Sequence, residues 1–361
     1  MDNIKKIVIV CLPVAGEADP TQLLMIEGLN RTPEIEAFTG INDRFLGIIR
    51  SALRYKPDYI HFDWIESYYI RRNILLTYIN LPLLYFQILI CKYILRIKLA
   101  CTIHNMMPHK RKNSKLKFFV LKSFGHLVNF IRVTSPASVE HYCAKFRINK
   151  TKVHFIGMGD YTEFYPNKIS ADESRKTLKI PENVKVILTL GSIKRYKGIP
   201  EYLYKIKEIN DPNLYILIAG KCMDMQLNNE ITAIQDERIH YLNKFIAKDE
   251  LQYYYNAADI VILPFLEIEN SGSVVMAMGF RKAIVAPVSN VINDRLKFQK
   301  DLLFTPTNFE QIIEKALSTP LETLRVYGES NFKQLKEYSW ADFGPLFLKH
   351  RNKNEAPLSH S

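Results

Sequence analysis

The chain has 361 residues, of which 47% are hydrophobic and 24% are charged, a composition typical of globular proteins. Its formal net charge of +12 favours an anionic partner, such as nucleic acid, anionic lipid or a phosphorylated substrate. The five cysteines form no C-x-x-C pair and no zinc spacing, which argues against a disulfide framework and a zinc site and predicts reduced thiols in a cytosolic protein.

Strands and helices alternate through the first half of the chain. Strands are predicted at Ile7–Val10, Tyr59–Phe62, Leu99–Ile103, Val128–Thr134 and Val153–Ile156, and helices over Thr21–Leu29, from Leu75 onward and from Pro136. The chain runs from Met-Asp-Asn directly into its first strand, which predicts that it has no signal peptide. Gly157, Gly159 and Pro166 then mark an expected hinge.

The same alternation restarts after this hinge. Strands are predicted at Val184–Leu190, Leu214–Ala219, Ile239–Tyr241, Ile260–Leu263 and Ala283–Ala286, with helices from Pro200 and over Glu250–Ala258. Two such series predict an α/β protein with two Rossmann-like, doubly wound domains that face each other across a cleft. We expect these domains over residues 1–162 and 163–335. We expect the helix around Phe332 to Trp340 to lead the chain back to the first domain. Residues 336–361 then form a C-terminal segment that contains this returning helix and ends in a polar tail.

The loop Gly191–Gly198, which reads G-S-I-K-R-Y-K-G, follows a predicted buried strand. Its glycines permit a tight turn, and Lys194, Arg195 and Lys197 concentrate positive charge at the carboxyl end of the strand. Such a loop suits a diphosphate, because Lys and Arg can neutralise its oxygens and the charge that develops on a leaving group. The alternative is an ordinary basic surface loop.

A second turn is expected at the same edge of the same sheet, in the segment from Glu267 to Pro287. Ser271 is a good helix N-cap, and the free N–H groups at the start of a helix attract an anion. Glu267 and Glu269 lie just ahead of this turn, and their carboxylates are better suited to sugar hydroxyls than to phosphate. The alternative is a plain βα turn with a capping serine.

Two strands of the first half end in side chains with possible chemical roles. His104 and Asn105 follow Leu99–Ile103, and His104 could hydrogen-bond a sugar or act on a proton, although a lone histidine after a strand is usually structural. The sequence from His61 to Trp64 ends another strand. Its imidazole, carboxylate and indole suit a sugar ring, whereas a tryptophan buried in a core is the commoner explanation.

Several other classes of site lack support in the sequence. Neither half contains a G-x-G-x-x-G turn or an Asp-x-Asp motif, so neither a dinucleotide cofactor nor a metal-centred site is predicted. No RNP, KH or zinc-finger pattern accompanies the positive charge, which makes nucleic-acid binding a weak alternative.

Basic and apolar residues interleave in two neighbouring stretches. Leu81–Cys91 is nearly all apolar and is followed by Lys92, Arg96 and Lys98. The second stretch combines cations with large apolar residues: Lys110, Arg111, Lys112, Lys115, Leu116, Lys117, Phe118, Phe119, Val120, Leu121 and Lys122. The apolar run is expected to be too short for a membrane span, which needs ~20 residues. The pattern favours an interfacial helix on an anionic membrane, and the alternative is two helices packed on a sheet with solvated basic faces.

Taken together, these motifs resemble the family-four retaining glycosyltransferases of the GT-B fold, in particular the bacterial branch that builds surface polysaccharides. P-D-Y-I-H-F-D-W is similar to that branch's strand ending in H-x-H-W, and T-I-H-N-M-M-P-H-K is similar to its H-N-x-x-P-H-E. G-S-I-K-R-Y-K-G is similar to the donor loop G-x-I-R-x-Y-K-G. N-S-G-S-V-V-M-A-M-G-F-R-K-A-I-V-A-P resembles the nucleotide-sugar signature that ends A-M-x-x-G-x-P-V-I-A.

The resemblance implies transfer of a sugar from a GDP- or UDP-sugar to a polyprenyl-diphosphate-linked glycan, with retention and without a cofactor or metal. It implies an enzyme that is cytoplasmic and peripheral on the inner face of the cell membrane. By this resemblance Lys197, with Lys194 or Arg195, contacts the diphosphate. Glu269 contacts hydroxyls of the donor sugar, and His104 lies near the reacting carbon. We assign the donor side to Gly191, Lys194, Arg195, Lys197, Glu267, Glu269, Asn270, Ser271, Gly272 and Ser273, and the acceptor or sugar side to His61, Asp63, Trp64, Asn105 and His109.

One departure from the family pattern motivates a different hypothesis. Met276 occupies the position of the second glutamate that often holds the ribose in this family. A non-catalytic, GT-B-like subunit for nucleotide-sugar binding or assembly is therefore the alternative to an enzyme.

Overall fold

A computed structural model describes residues 6–16, 20–71, 73–104, 114–266 and 272–355. The chain divides into two compact units, one formed by Met1–Gly159 with Tyr338–Ser361 and the other by Asp160–Glu337. The expected domain bounds at residues 162 and 335 lie close to these divisions.

The first unit is built on a six-stranded parallel sheet with the strand order β2-β1-β3-β4-β5-β6. The strands are β1 (Ile7–Leu12), β2 (Ile35–Thr39), β3 (Tyr59–Phe62), β4 (Lys98–Ile103), β5 (Phe130–Val133) and β6 (Val153–Phe155). The helices are α1 (Thr21–Asn30), α2 (Gly47–Tyr55), α3 (Glu66–Tyr69), α4 (Ile74–Leu89), α5 (Ser114–Leu127) and α6 (Pro136–Phe146).

The second unit repeats this plan with the strand order β12-β11-β10-β7-β8-β9, again parallel. Its strands are β7 (Lys185–Leu190), β8 (Leu214–Ala219), β9 (Ile239–Leu242), β10 (Ile260–Ile262), β11 (Ala283–Pro287) and β12 (Leu303–Phe304). Its helices are α7 (Ala171–Thr177), α8 (Ile199–Lys207), α9 (Met225–Thr232), α10 (Leu251–Ala257), α11 (Gly272–Gly279), α12 (Asn290–Arg295), α13 (Phe309–Ser318) and α14 (Leu321–Leu335). A last helix, α15 (Phe343–Glu355), belongs to the first unit.

The strand order places the functional loops. The central strands β7 and β8 are nearly continuous apolar runs that are buried along their length, as parallel strands covered on both faces require. The order reverses between β1 and β3 in the first unit, and between β7 and β10 in the second. In open α/β sheets, ligands bind at the carboxyl ends of the strands beside such a reversal. The two predicted doubly wound domains are confirmed as parallel-sheet units, and each presents one such edge.

The chain returns to the first unit differently from the expectation. The helix predicted around Phe332 to Trp340 is wrong as a single element, because α14 ends at Leu335. Ser339 begins a new turn by accepting a hydrogen bond from the backbone N–H of Ala341 at 3.1 Å. Trp340 is then buried, with its backbone carbonyl so close to α1 that a Cβ at Gly28 would lie 2.1 Å from it. The return is therefore fixed by the packing of one tryptophan against a glycine.

The sequence also gave no sign of β2 and α2. Strand β2 pairs only with β1, and its residues alternate between buried and exposed, so it lacks the long apolar run that marked the other strands. Helix α2 is a nine-residue element that carries two arginines. Both elements are short, with five and nine residues, and neither contains a long apolar run.

The apolar residues predicted to face a membrane from α5 pack inward instead. Val120 is fully buried, and Leu116, Phe118 and Leu121 pack against the core of the first unit. Phe119 is 57% exposed. The expectation of an apolar outer face on this helix is therefore wrong apart from Phe119, because α5 uses its apolar side to cover the sheet.

The upstream helix is longer than the sequence indicated. α4 continues through a π-helical turn at Ile90–Ile94, which gives a helix of 21 residues, Ile74–Ile94, that contains an 18-residue stretch with a mean hydropathy of 1.9. This helix is long and apolar enough to cross a membrane by length and composition, so the prediction of a run too short for that is wrong. About 33% of that stretch is buried within the protein.

Candidate active site

The segment Gly191–Gly198, called here the Lys197 loop, connects β7 to α8 with a shape that requires glycine. Gly191 and Gly198 have φ angles of +112° and +62°. A Cβ at Gly198 would also lie 2.3 Å from the carbonyl oxygen of Pro264, in the segment that follows β10. The backbone N–H of Leu266 donates to the carbonyl of Tyr196 at 2.9 Å. The segments that follow β7 and β10 are thus joined at the reversal of strand order.

Lys197 is the buried cation of this loop. The residue is 6% exposed, and its ammonium lies 5.6 Å from the centre of the Phe265 ring. Burial, followed by the neighbouring charge of Lys194, lowers the pKa of Lys197 to about 8. No carboxylate among the described residues contributes to this shift or pairs with the ammonium. A buried lysine that lacks an anionic partner in the described structure is suited to bind an anionic ligand.

The other two predicted cations of the loop differ from Lys197. Lys194 is exposed, and its charge acts on Lys197. The guanidinium of Arg195 instead lies 2.5 Å from a carboxylate oxygen of Glu230 on α9. Lys194 and Lys197 are therefore close enough for their charges to interact, whereas Arg195 is already paired with Glu230.

The second predicted turn is described in part. Glu267, Glu269, Asn270 and Ser271 lie outside the described residues. Gly272 and Ser273 open α11, and a Cβ at Gly272 would make an ordinary 3.4 Å contact with the Tyr161 ring. Met276 is buried on the same helix, with 9% exposure.

In the first unit, four side chains form a polar group called here the Asp63 cluster: Gln22, His61, Asp63 and His104. Pairing of Phe62 with Cys101 in adjacent strands brings the ends of β3 and β4 side by side. The Asp63 carboxylate is fully buried, and its Oδ2 accepts a hydrogen bond from Gln22 Nε2 at 2.9 Å. His104 Nε2 lies 3.3 Å from Oδ1, and His61 Nδ1 lies 3.7 Å from Oδ2.

This environment keeps Asp63 ionised. Burial by itself raises the pKa of Asp63, but its interactions with His61, His104 and Gln22 outweigh burial and lower the pKa to about 2. Burial lowers the pKa of His61 to about 4, so His61 is neutral at pH 7. At that pH the hydrogen bonds from His104 and Gln22, rather than a charge on His61, stabilise the carboxylate.

The ionised carboxylate also orients His104. Nε2 of His104 donates to Asp63, so Nδ1 carries no proton when the ring is neutral and can accept one. The ring stacks on the half-buried Trp64, with centroids 4.7 Å apart and an interplanar angle of 9°. A cavity of about 50 Å³ opens beside these rings. Stacking and the hydrogen bond together hold the imidazole in one orientation.

The remaining residues predicted for the acceptor side have different positions. His61 is 2% exposed, and its Nε2 lies 3.1 Å from Thr102 Oγ1. Its imidazole is therefore buried against other protein side chains and does not face solvent. Asn105 and His109 lie outside the described residues. The described residues contain no group of three or more His, Cys, Asp or Glu arranged to hold a metal ion.

Sequence reasoning missed Gln22 and the cavity near it. Gln22 Nε2 also donates to the Pro13 carbonyl at 2.8 Å, and its Oε1 accepts from Ala15 N–H at 2.9 Å. These bonds tie the loop after β1 to Asp63. The same loop lines a cavity of about 290 Å³. The loop residues in its wall are Pro13, Val14, Ala15 and Gly16, and the other lining residues are Ile41, Asn42, Asp43, Arg44, Ser67 and Tyr68. Its residues carry no spacing motif, so no pattern in the sequence pointed to them.

Comparison with known families identifies the second unit. Residues 170–334 match the family described as glycosyl transferases group 1. This range covers the Lys197 loop and α11. The chain therefore carries a glycosyltransferase domain, and the prediction of a hexosyltransferase-type enzyme is confirmed at that level.

Two curated relatives match a larger part of the chain. Both are GDP-mannose:glycolipid 4-beta-D-mannosyltransferases of Xanthomonas campestris pv. campestris, each 23% identical over 252 residues. The alignment covers 69% of this chain and 66% of each relative, so the chain spans just under two thirds of their length.

Similar solved structures establish the fold. Sucrose-phosphate synthase from Thermosynechococcus elongatus superposes with a TM-score of 0.73 at 15% identity, over 96% of this chain and 99% of that one. HepE of Anabaena in complex with UDP and glucose gives 0.72 at 14% identity, over 96% and 100%. A glycosyltransferase from Rickettsia africae gives 0.65 at 13% identity, over 99% and 100%. The predicted GT-B fold is confirmed.

Proposed function

Because the chain carries a glycosyl transferases group 1 domain, we propose that the protein transfers a hexose from a GDP- or UDP-sugar to a lipid-linked oligosaccharide or polysaccharide precursor. The observation that supports this most strongly is the buried Lys197. Its ammonium has no described anionic partner and lies beside the reversal of strand order in the matching domain. A diphosphate would supply the missing negative charge.

In this proposal the Lys197 loop stabilises the leaving group. The bond between the sugar carbon and the diphosphate oxygen breaks, and the negative charge that develops on that oxygen is offset by Lys197 and Lys194. A hydroxyl of the acceptor forms the new bond to the sugar carbon, and its proton passes to the leaving diphosphate oxygen. Since the loop itself supplies positive charge, we propose that transfer needs no bound metal, and we expect turnover to persist in excess EDTA.

We propose that each of the two units carries sugar-binding groups. The carboxylate of Glu269 would hold hydroxyls of the donor sugar, with Glu267, Asn270 and the Ser271–Ser273 turn beside it. His104, fixed by Asp63 and Trp64, would hydrogen-bond the reacting sugar through its free Nδ1. The cavity of about 290 Å³ beside Gln22 is large enough for part of an acceptor.

We further propose transfer with retention of the donor's anomeric configuration, following the resemblance of the donor loops to retaining enzymes. The relatives are named 4-beta-D-mannosyltransferases, so the configuration of the product is the property to measure. An NMR spectrum of the product in which the new linkage has the donor's configuration supports retention, and the opposite configuration refutes it.

The acceptor and location follow from the same reasoning. The relatives act on a glycolipid, as their name states, and the chain carries a net charge of +12. We propose a polyprenyl-diphosphate-linked acceptor at the cytoplasmic face of the cell membrane. A panel of nucleotide sugars in a thermal-shift assay identifies the donor, because a ligand at a hundredfold its dissociation constant stabilises by ~2.7 kcal/mol. Transfer from that donor to a lipid-linked acceptor then tests the reaction.

One observation favours a second function. Met276, buried on α11, stands where the resembling family often has a ribose-binding glutamate. A non-catalytic subunit would bind UDP or GDP in a calorimetric titration and give no product in the transfer assay. Turnover that is lost on changing Lys197 excludes this alternative.

A further inference from the structure

Helix Ile74–Ile94 exposes apolar side chains at unusual density. Of the 23 large hydrophobic residues that are exposed in the described part of the chain, nine lie on this one helix: Ile74, Leu75, Leu76, Tyr78, Ile79, Phe86, Leu89, Tyr93 and Ile94. Single exposed apolar residues are ordinary, whereas a contiguous set marks an interaction surface. We refer to these nine residues as the outer face of the helix.

The polar side chains of this helix point into the protein. Thr77, Asn80 and Gln87 are 0%, 5% and 1% exposed. Gln87 Nε2 donates to the Phe45 carbonyl at 2.7 Å, and its Oε1 accepts from Ile49 N–H at 3.2 Å. A surface helix of a water-soluble protein usually has the reverse arrangement, with polar residues outward. The outer face is therefore adapted to apolar surroundings.

The stretch of sequence that contains the helix carries side-chain charge of one sign. Residues 67–139 contain twelve lysines and arginines and no aspartate or glutamate, and this excess equals the net charge of the whole chain, +12. Among the described residues, Arg96 follows the helix and Lys115 lies on α5, and both are exposed. Anionic lipid headgroups complement such a charge. A second copy of the same surface would bring like charges together, which disfavours self-association.

The helix is also held against the rest of the first unit. Tyr85 and Ser123 share a hydrogen bond between α4 and α5, and Lys92 donates to the Leu127 carbonyl. Leu84, Ile88 and Cys91 are buried in the core on the inner side. A helix with these contacts cannot cross a bilayer without leaving the core, whereas it can lie along a membrane surface.

We propose that the outer face of helix Ile74–Ile94 lies in the surface of an anionic bilayer, parallel to it, with the surrounding cations on the headgroups. This rests on the membrane location in the proposed function and identifies the residues that make contact. The mode of binding is interfacial: apolar side chains enter the boundary between headgroups and acyl chains, and the basic residues stay at the surface.

The test uses the full chain and vesicles without donor or acceptor, so its outcome is independent of transfer activity. The variant L75Q/I79Q/F86Q changes three side chains that are 68%, 66% and 61% exposed, and the control M223Q/F245Q/F298Q changes three that are 86%, 70% and 54% exposed in the second unit. Vesicles contain equal amounts of phosphatidylglycerol and phosphatidylcholine, or phosphatidylcholine alone.

We expect wild type and control to co-sediment with the anionic vesicles and the helix variant to bind at least tenfold more weakly, because three apolar side chains no longer enter the interface. Thermal unfolding should be unchanged, since these side chains are exposed in the folded protein. Equal vesicle binding by helix variant and wild type overturns the proposal. A lipid-free dimer that the helix variant converts to monomer, with vesicle binding unchanged, assigns the face to self-association instead.

The orientation has its own test. Extraction of the membrane-bound protein with sodium carbonate at high pH should release it, since an interfacial helix is not inserted across the bilayer. Retention in the membrane pellet, with the helix variant released, contradicts the parallel orientation and supports a spanning helix.

Discussion

The Asp63 cluster and the Lys197 loop each place a buried charge at the carboxyl end of a central parallel strand. They differ in whether partners within the protein stabilise that charge. The Asp63 carboxylate is buried but accepts hydrogen bonds from Gln22 and His104, and its pKa falls to about 2. The Lys197 ammonium is buried without a described counter-charge, and its pKa falls to about 8. One charge is compensated inside the protein, and the other is available to a ligand.

In the proposed function, this difference assigns the two regions to different sides of the reaction. A compensated charge is already ordered before substrate binds, which suits the positioning of His104. An uncompensated cation gains its partner only when an anion binds, which suits recognition of a diphosphate. Four measurements test whether the two buried charges differ in this way.

The largest effect is expected from Lys197→Ala. Loss of the charge beside the leaving diphosphate should reduce turnover by ~10²-fold or more, with little loss of stability, because the wild-type ammonium has no described ion pair. Initial rates of sugar transfer measure it, and Lys176→Ala, an exposed lysine on α7, is the control. Near-normal turnover of the Lys197 variant would remove the loop from the site.

Acid should destabilise the Asp63 cluster through His61. The pKa of His61 falls to about 4 in the folded protein, so the unfolded chain binds this proton more readily between pH 6.5 and pH 4. Stability from the neutral imidazole is complete above pH 6.5 and is lost as the pH falls towards 4. From pH 7 to pH 5 we expect a loss of about 2 kcal/mol in the free energy of unfolding from this residue. Urea unfolding of wild type and His61→Gln checks it: equal losses in both would exclude His61 as the source.

Asp63→Asn tests whether the compensated charge orients His104. The amide leaves the size of the side chain nearly unchanged but removes the ionised acceptor of His104 Nε2, so we expect kcat to fall about tenfold, with donor affinity nearly preserved. Glu27→Gln on α1 serves as the control. A variant that binds the donor and turns over at the wild-type rate would limit Asp63 to a structural role.

The smallest expected effect is a pH dependence of donor affinity. Diphosphate binding requires protonated Lys197, whose pKa is about 8 in the free protein. The dissociation constant for UDP or GDP should therefore rise about eightfold from pH 7.5 to pH 9, as the ammonium loses its proton. Calorimetric titrations across this range measure it, with Lys197→Met as the variant that should show no such rise. The same slope in both proteins would place the titrating group elsewhere.

Much of the fold could be predicted because its strands are apolar and bounded by turns. The runs that became β4, β7 and β8 lie within one residue of their predicted bounds. The strand β2 and the helix α2 were missed because they are short, with five and nine residues, and contain no long apolar run. On helix Ile74–Ile94 the polar side chains are buried and many apolar side chains are exposed. This arrangement could not be predicted from the sequence, since residue spacing does not tell which side of a helix faces the sheet.

The candidate site was predictable as a set of loops and not as a set of contacts. The glycines and cations of G-S-I-K-R-Y-K-G identified the Lys197 loop, but the buried ammonium of Lys197 lies beside Phe265, which is distant in sequence. Pairing of Arg195 with Glu230 and of Gln22 with Asp63 is likewise set by packing between separate elements. Spacing motifs describe only residues within one segment.

The most direct test of Lys197 as the diphosphate ligand is a calorimetric titration of UDP and GDP into wild type and Lys197→Met at pH 7.5. The substitution keeps an unbranched side chain only one atom shorter and removes its charge. If Lys197 binds the diphosphate, one of the nucleotides should bind the wild-type protein, and the variant should bind it about 10- to 100-fold more weakly, as expected for the loss of a charge-assisted hydrogen bond. Equal affinity in the two proteins would contradict the assignment of the Lys197 loop as the diphosphate site.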